Sequence, residues 1–136
     1  MNDLPSAPRA VVFDLDGTLV DSMPMVMRAF AHALEPFLPA MSEAELFARL
    51  GGPPLRMFQD MLGDETKAAE AMSRMLRYGR IHWDLIQPFA GMRETLAEVR
   101  GAGLDLALWT GRDRASTETI LKQHPFPPLR EVVCGD

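Results

Sequence analysis

Two aspartates stand two positions apart where the first apolar segment of the chain ends. Residues 10–13 read Ala-Val-Val-Phe, and Asp14 and Asp16 follow, with a Gly-Thr turn at residues 17 and 18. Side chains alternate along a strand, so both carboxylates are expected on one side of its carboxyl end, where open α/β sheets bind ligands. Such oxygen groups suit Mg²⁺, and one carboxylate can attack phosphorus while the other handles protons. An isolated Asp-x-Asp is more typical of an acidic turn, but the whole arrangement predicts phosphoryl chemistry.

Residues 13–22, Phe-Asp-Leu-Asp-Gly-Thr-Leu-Val-Asp-Ser, resemble the first motif of the haloacid dehalogenase-like (HAD) phosphohydrolases, especially their phosphoglycolate phosphatase-like branch. The resemblance implies that Asp14 is a nucleophile that forms an aspartyl-phosphate and that Asp16 is the general acid and base. It also implies Mg²⁺ bound by Asp14 and by the backbone carbonyl of Asp16. Thr18, in the same motif, is assigned to phosphate binding. The dehalogenase and phosphonatase branches lack the second Asp, so Asp16 indicates phosphoryl transfer.

A second group of candidate residues, Thr110-Gly111-Arg112, follows a later apolar strand. A hydroxyl and free backbone N–H groups at a helix start form a small anion site. In the HAD pattern a Ser or Thr here binds the transferring phosphoryl group, which implies that role for Thr110, with Gly111 contributing backbone. Arg112 has two readings: it aids substrate binding, or it only neutralises the helix entrance.

Composition limits the class of protein and of partner. The 136 residues are 47% hydrophobic and 24% charged, with a formal net charge of −5, which fits a globular chain and argues against nucleic acid or anionic membrane as partner. We expect a small phosphorylated metabolite instead. The single cysteine, Cys134, fits a reducing cytoplasm. Oligomeric state cannot be predicted from these residues.

The order of elements predicts the fold class. Strands are expected at residues 10–15, 104–109 and 130–134, and helices at about 91–100 and 113–123. Alternating strands and helices predict an α/β fold, a partial Rossmann-like three-layer core with a parallel sheet. Residues 1–21 and 88–136 would form this core, and residues 22–87 an inserted α-helical cap. A helical domain unrelated to catalysis is the alternative for the insertion.

Helix boundaries inside the insertion carry their own signals. Ser22 or Asp21 is expected to begin the first helix, with a proline in its first turn. Ser42 and Glu45 have the spacing of a capping box. Asp64 is expected to cap a longer helix that reaches Trp83. Arg49 occupies a position where relatives place a cap loop facing the substrate, so it either meets a distal anionic group or is a surface residue before a helix break.

The last residues, 132–136, admit two readings within the resemblance. They are either the strand shortly before the family's third motif, a Lys, which we favour, or the start of its fourth motif, an acidic pair. In both cases the resemblance covers only the first half of the core. We therefore expect a fragment or an early-ending gene product, in which the first strand is an exposed apolar edge.

Together these observations predict a Mg²⁺-dependent phosphatase that hydrolyses a small phosphate monoester, such as phosphoglycolate, through an aspartyl-phosphate. Two alternatives remain open. One is a phosphomutase of the β-phosphoglucomutase kind, and the other is a catalytically incomplete chain that only binds anions or partners.

Overall fold

The computed structural model describes residues 7–136, and these divide into two compact units. Residues 7–21 and 87–136 form an α/β unit, and residues 22–86 form a helical unit. The strands are β1 (Ala10–Phe13), β2 (Val20–Asp21), β3 (Gln87–Pro88), β4 (Asp105–Trp109) and β5 (Glu131–Val133). The helices are α1 (Met23–Leu34), α2 (Glu43–Phe47), α3 (Pro54–Leu62), α4 (Glu65–Ile81), α5 (Met92–Gly101) and α6 (Arg114–Gln123).

The main sheet of the α/β unit is parallel, which confirms the predicted fold class. Its strand order is β1-β4-β5. Phe13 pairs with Leu108 and Trp109 pairs with Val133, so the carboxyl ends of the three strands meet at one edge of the sheet. β5 lies beside β4 and not beside β1, which agrees with the first of the two readings of residues 132–136.

β1 is less buried than its apolar sequence predicts. Within the described residues it pairs with β4 alone, so its other edge is open. Alternate residues share a face of the sheet, and the open face carries Val12, Trp109 and Val133, which are 58%, 69% and 45% exposed. The opposite face carries Leu106 and Leu108, which are buried. The open edge agrees with the exposed apolar edge expected for the first strand, although its residues are not buried as their continuous apolar character alone would predict.

A second, two-stranded sheet escaped the sequence analysis. β2 and β3 pair antiparallel, with Val20 opposite Pro88 and Asp21 opposite Gln87. The N–H of Phe89 extends the pairing by donating to the carbonyl of Leu19 (3.1 Å). A strand of two residues is too short to show an alternating sequence pattern, so these strands are recognised only from their pairing in the structure.

The helical unit encloses a core of its own. Phe30 of α1 stacks on Phe58 of α3 with ring centroids 4.7 Å apart, and both side chains are fully buried. Ser42 and Glu45 form the predicted capping box at α2, and Asp64 caps α4 by accepting the N–H of Lys67 (2.9 Å). α4 ends at Ile81, and Trp83 lies in a short 3-10 turn, so the predicted extension of that helix to Trp83 was wrong.

The described helices include none that is long and apolar enough to cross a membrane.

Candidate active site

The first candidate aspartate lies at the start of a tight loop between β1 and β2, residues 14–19, here called the Asp loop. The carbonyl of Leu15 accepts N–H bonds from Leu19 (2.9 Å) and Val20 (3.0 Å), which folds the loop back on itself. Gly17 sits at φ +75°, a left-handed conformation that favours glycine. The Asp14 side chain is exposed, and its Oδ1 accepts the N–H of Leu15 (2.7 Å). The loop therefore presents this carboxylate to solvent at the carboxyl end of β1.

Asp16 is held by an arginine from the other candidate group. The Nε of Arg112 donates to Oδ2 of Asp16 (3.0 Å), and the Nη2 donates to Oδ1 (2.5 Å). The two side chains are 15% and 31% exposed, respectively, so the pair is shielded from much of the solvent. A bidentate, charge-assisted pair of this kind fixes orientation as well as distance. It joins the two sequence-predicted groups, which are separated by 96 positions in the chain.

Thr110 begins the second loop, residues 110–113, here called the Thr loop. Its side chain is buried, at 2% exposure, and its N–H donates to the carbonyl of Val133 (2.9 Å). Its Oγ1 accepts the N–H of Arg112 (3.2 Å), which leaves the hydroxyl proton for another acceptor. Gly111 is exposed between them. Because β1 and β4 are parallel neighbours, the Asp loop and the Thr loop leave the sheet at the same edge.

The end of the chain braces the Thr loop, which sequence reasoning missed. Gly135 donates its N–H to the carbonyl of Arg112 (2.9 Å), and a Cβ at position 135 would collide with the Gly111 backbone. Asp136 accepts the N–H of Arg114 through Oδ1 (2.9 Å) at the start of α6. The Gly-Asp pair was visible in the sequence only as a piece of a motif. The residues that follow β5 therefore help to hold the Thr loop in position.

Asp113 closes the Thr loop as the N-cap of α6. It accepts the Ser116 hydroxyl (2.5 Å) and the Ser116 N–H (2.9 Å). These hydrogen bonds, the side-chain one foremost, hold the pKa of Asp113 below its ordinary value. The carboxylate therefore stays charged and anchors the first turn of the helix.

Two predicted substrate-binding residues take no part in these contacts. Thr18 is exposed in the Asp loop, where its N–H donates to the carbonyl of Leu15 (3.3 Å). Arg49 is exposed in the turn after α2, inside the helical unit. The roles assigned to both remain predictions.

The donor set of the Asp loop fits a magnesium ion. Within residues 7–136, no group of three or more His, Cys, Asp and Glu side chains is arranged to hold a metal. Mg²⁺ does not need one, because proteins usually hold it by one or two carboxylates together with waters and substrate phosphates. The exposed Asp14 carboxylate and the Asp16 carbonyl supply oxygen ligands of that kind.

Open α/β sheets bind their ligands at the carboxyl ends of the strands, and the Asp loop and the Thr loop both lie at that edge of the main sheet. Residues 11–136 match the sequence profile described as haloacid dehalogenase-like hydrolase. The chain belongs to that family.

Two curated proteins are similar to most of this chain. The chain is 32% identical over 130 residues to the tyrosine-protein kinase PtkA of Mycobacterium tuberculosis, covering 95% of this chain and 45% of PtkA. It is 30% identical over 124 residues to the pyrophosphatase PpaX of Halalkalibacterium halodurans, covering 90% of this chain and 57% of PpaX. The chain thus spans about half the length of these curated relatives.

Solved structures show the same fold. A haloacid dehalogenase-like family hydrolase from Streptococcus pneumoniae superposes with a TM-score of 0.80 at 23% identity, covering 95% of this chain and 62% of the other. A protein described as a predicted phosphoglycolate phosphatase from Haemophilus somnus 129pt gives 0.80 at 22% identity, covering 95% and 63%. Phosphatases of this family are generally metal-dependent.

Proposed function

We propose that this chain carries the nucleophile-bearing half of a Mg²⁺-dependent phosphatase that acts on a small phosphate monoester. The observation that carries the proposal is the bidentate contact between Asp16 and Arg112, because it brings the Asp loop and the Thr loop together. Membership of the hydrolase family supports the reaction class. The cytoplasmic location expected from the single cysteine remains part of the proposal.

Asp14 is the proposed nucleophile. Its carboxylate is exposed, and the N–H of Leu15 orients one of its oxygens. An Asp14 oxygen forms a bond to phosphorus as the bond from phosphorus to the leaving oxygen breaks, and Asp16 donates a proton to that oxygen. Asp16 then removes a proton from water, which attacks phosphorus and breaks the aspartyl-phosphate. Asp14 returns as a free carboxylate, and inorganic phosphate leaves.

Thr110, Gly111 and Arg112 are the proposed phosphate-binding groups. The Thr110 hydroxyl and the Gly111 N–H donate to phosphoryl oxygens, and positioning of this kind supplies most of the rate in phosphoryl transfer. Arg112 matches a phosphate as well as a carboxylate, because its fork of N–H donors suits both. A bound phosphoryl group therefore competes with Asp16 for Arg112. Once released from Arg112, Asp16 takes up a proton from solvent, which it can then donate to the leaving oxygen.

Mg²⁺, held by Asp14 and the Asp16 carbonyl, would neutralise phosphoryl charge when bound. The helical unit is proposed to act as the cap domain, and Arg49 is proposed to meet a distal anionic group of the substrate. Phosphoglycolate is the first substrate to test, because it is a small monoester with such a group.

The test compares this chain with its Asp14→Asn variant on p-nitrophenyl phosphate and on phosphoglycolate, with Mg²⁺ and with EDTA. We expect phosphate release that requires both Asp14 and Mg²⁺. Because the aspartyl-phosphate is hydrolysed in each cycle, the mass of the protein after the reaction should equal its mass before it. Equal background rates for both chains would favour a chain that only binds anions.

Phosphate transferred to a sugar hydroxyl or to a tyrosine peptide, with little free phosphate, would favour a transferase instead. The second acceptor is included because PtkA is named a tyrosine-protein kinase.

A further inference from the structure

The helical unit contains a cavity that the proposed reaction does not use. It measures about 430 Å³ and lies between the second half of α1, residues 38–41, α2 and α4. That volume falls in the range of small-molecule sites, roughly 300–1,000 Å³. All of its lining residues belong to the helical unit.

The floor of the cavity is apolar. Leu34 and Leu46 are buried beneath it, and Leu38 and Met41 are partly buried at its sides. Ala31 and Ala40 line it with small side chains that leave the space open. A ligand body that fills this floor gains free energy from the apolar area removed from water.

One side of the cavity is an ordered aromatic wall. The rings of His32 and Tyr78 are 5.1 Å apart, and Tyr78 stacks on His82 with centroids 3.8 Å apart and planes at 10°. Nδ1 of His82 lies 2.8 Å from the Tyr78 carbonyl, which holds the far ring of the stack. A flat ligand body therefore meets a surface that is already positioned, so little entropy is lost in forming it.

The charges at the rim leave one cation unmatched. Glu35 faces Arg74 (3.5 Å) and His32 (3.8 Å), and Arg74 is fixed by two bonds to the His32 carbonyl (2.9 and 3.2 Å). Arg28, also at the rim, has no carboxylate within ion-pair distance among residues 7–136. Glu35 already has cationic partners, whereas the guanidinium of Arg28 has no anionic partner in the described part of the chain. The rim therefore suits a ligand with a single negative charge.

We propose that this cavity binds a small amphipathic carboxylate, with a flat or branched apolar body on the floor and its carboxylate on Arg28. This proposal stands independently of the phosphatase activity, because no residue of the Asp loop or the Thr loop takes part.

The test is an amide chemical-shift titration of the whole chain with phenylacetate. We expect saturable shifts at Ala31, Leu38 and Ala40. Affinity should fall at least about tenfold in Arg28→Gln, since a charge-assisted hydrogen bond is lost, and in Ala31→Phe, which fills the space. Arg56→Gln is the matched control, because Arg56 is an exposed arginine of the same unit outside the cavity, and it should bind phenylacetate as the parent does.

Thermal melting checks that each variant is folded. If Ala31→Phe does not fold, the affinity of Arg28→Gln for phenylacetate alone tests the proposal. Unchanged affinity in Arg28→Gln would overturn the proposal, as would equal binding of benzyl alcohol, which lacks the charge. Shifts caused only by an Asp-Phe peptide, and not by phenylacetate, would assign the cavity to a protein partner and also overturn it.

Discussion

The guanidinium of Arg112 is the side chain that links the two candidate loops. Its place in the sequence is compatible with two roles, substrate binding or neutralisation of a helix entrance. The structure adds a third role, because Arg112 donates hydrogen bonds to both carboxylate oxygens of Asp16. Arg112 binds Asp16 in this structure and is proposed to bind the phosphoryl group when substrate is present. Such an exchange would couple substrate binding to release of Asp16, the proposed acid. That coupling can be measured.

Replacement of Arg112 by Gln should raise KM for p-nitrophenyl phosphate by at least about tenfold, because hydrogen bonds to charged groups contribute about 1.5–3 kcal/mol. kcat should change less, since Asp16 is then free of its partner. Steady-state kinetics measure both constants. Arg130→Gln is the control: Arg130 pairs with Asp105 on the exposed surface and should leave both constants unchanged. An unchanged KM in Arg112→Gln would remove Arg112 from the phosphate site.

Gly135→Ala tests the brace behind the Thr loop. The added methyl collides with the Gly111 backbone, so we expect the free energy of unfolding to fall by about 1–3 kcal/mol. We also expect a lower affinity for inorganic phosphate, because the Thr loop is displaced. Urea unfolding and phosphate titration measure these effects. Gly101→Ala adds the same methyl at the end of α5, where no atom lies within 4 Å, and should not destabilise the chain. Equal stability of the two variants would contradict the brace.

At the scale of elements, the local signals were reliable where a cap or a period defined them. The capping box at Ser42 and the Asp64 cap both form the predicted hydrogen bonds, each within three residues. Such bonds depend on neighbours in the chain, so sequence suffices to predict them. β2 and β3 were missed because each is defined only by the other.

Asp113 makes the stability of α6 depend on pH. Its pKa is lower in the folded chain, so its contribution is present above the ordinary Asp pKa and is lost as pH falls through the lowered value. Asp113→Ala should cost about 1 kcal/mol at pH 7, and this difference from the parent should shrink on acidification below about pH 4. Asp113→Ser keeps a cap without the titration, so it should be more stable than Asp113→Ala at pH 7 with the same shallow acid dependence. Denaturant unfolding from pH 3 to pH 7 measures both, and a constant Ala-to-parent gap would contradict the assignment.

At the scale of the whole molecule, the α/β unit leaves apolar surface in contact with water. Val12, Trp109 and Val133 share one face of the main sheet, and β1 forms one of its edges within the described chain. Open strand edges and exposed apolar faces favour association between chains. The helical unit, by contrast, buries its large aromatic residues Phe30 and Phe58 in a core of its own.

We expect this chain to self-associate as its concentration rises, and Val12→Lys to weaken that association. The charge would lie beside the open edge of β1, where bringing it against another apolar face is costly. Sedimentation velocity over a concentration series measures the effect. Ile81→Lys is the control, since Ile81 is 74% exposed but belongs to the helical unit. Association abolished by Ile81→Lys and unaffected by Val12→Lys would place the contact elsewhere.

The sequence alone determined the family resemblance, the parallel α/β class and the residues that carry the proposed chemistry. These follow from short-range patterns: an apolar strand, an Asp pair and a turn. Tertiary structure decided which residues meet across the chain, namely Asp16 with Arg112 and Gly135 with the Thr loop. It also decided how exposed β1 is, because burial depends on what pairs with a strand and not on its own residues.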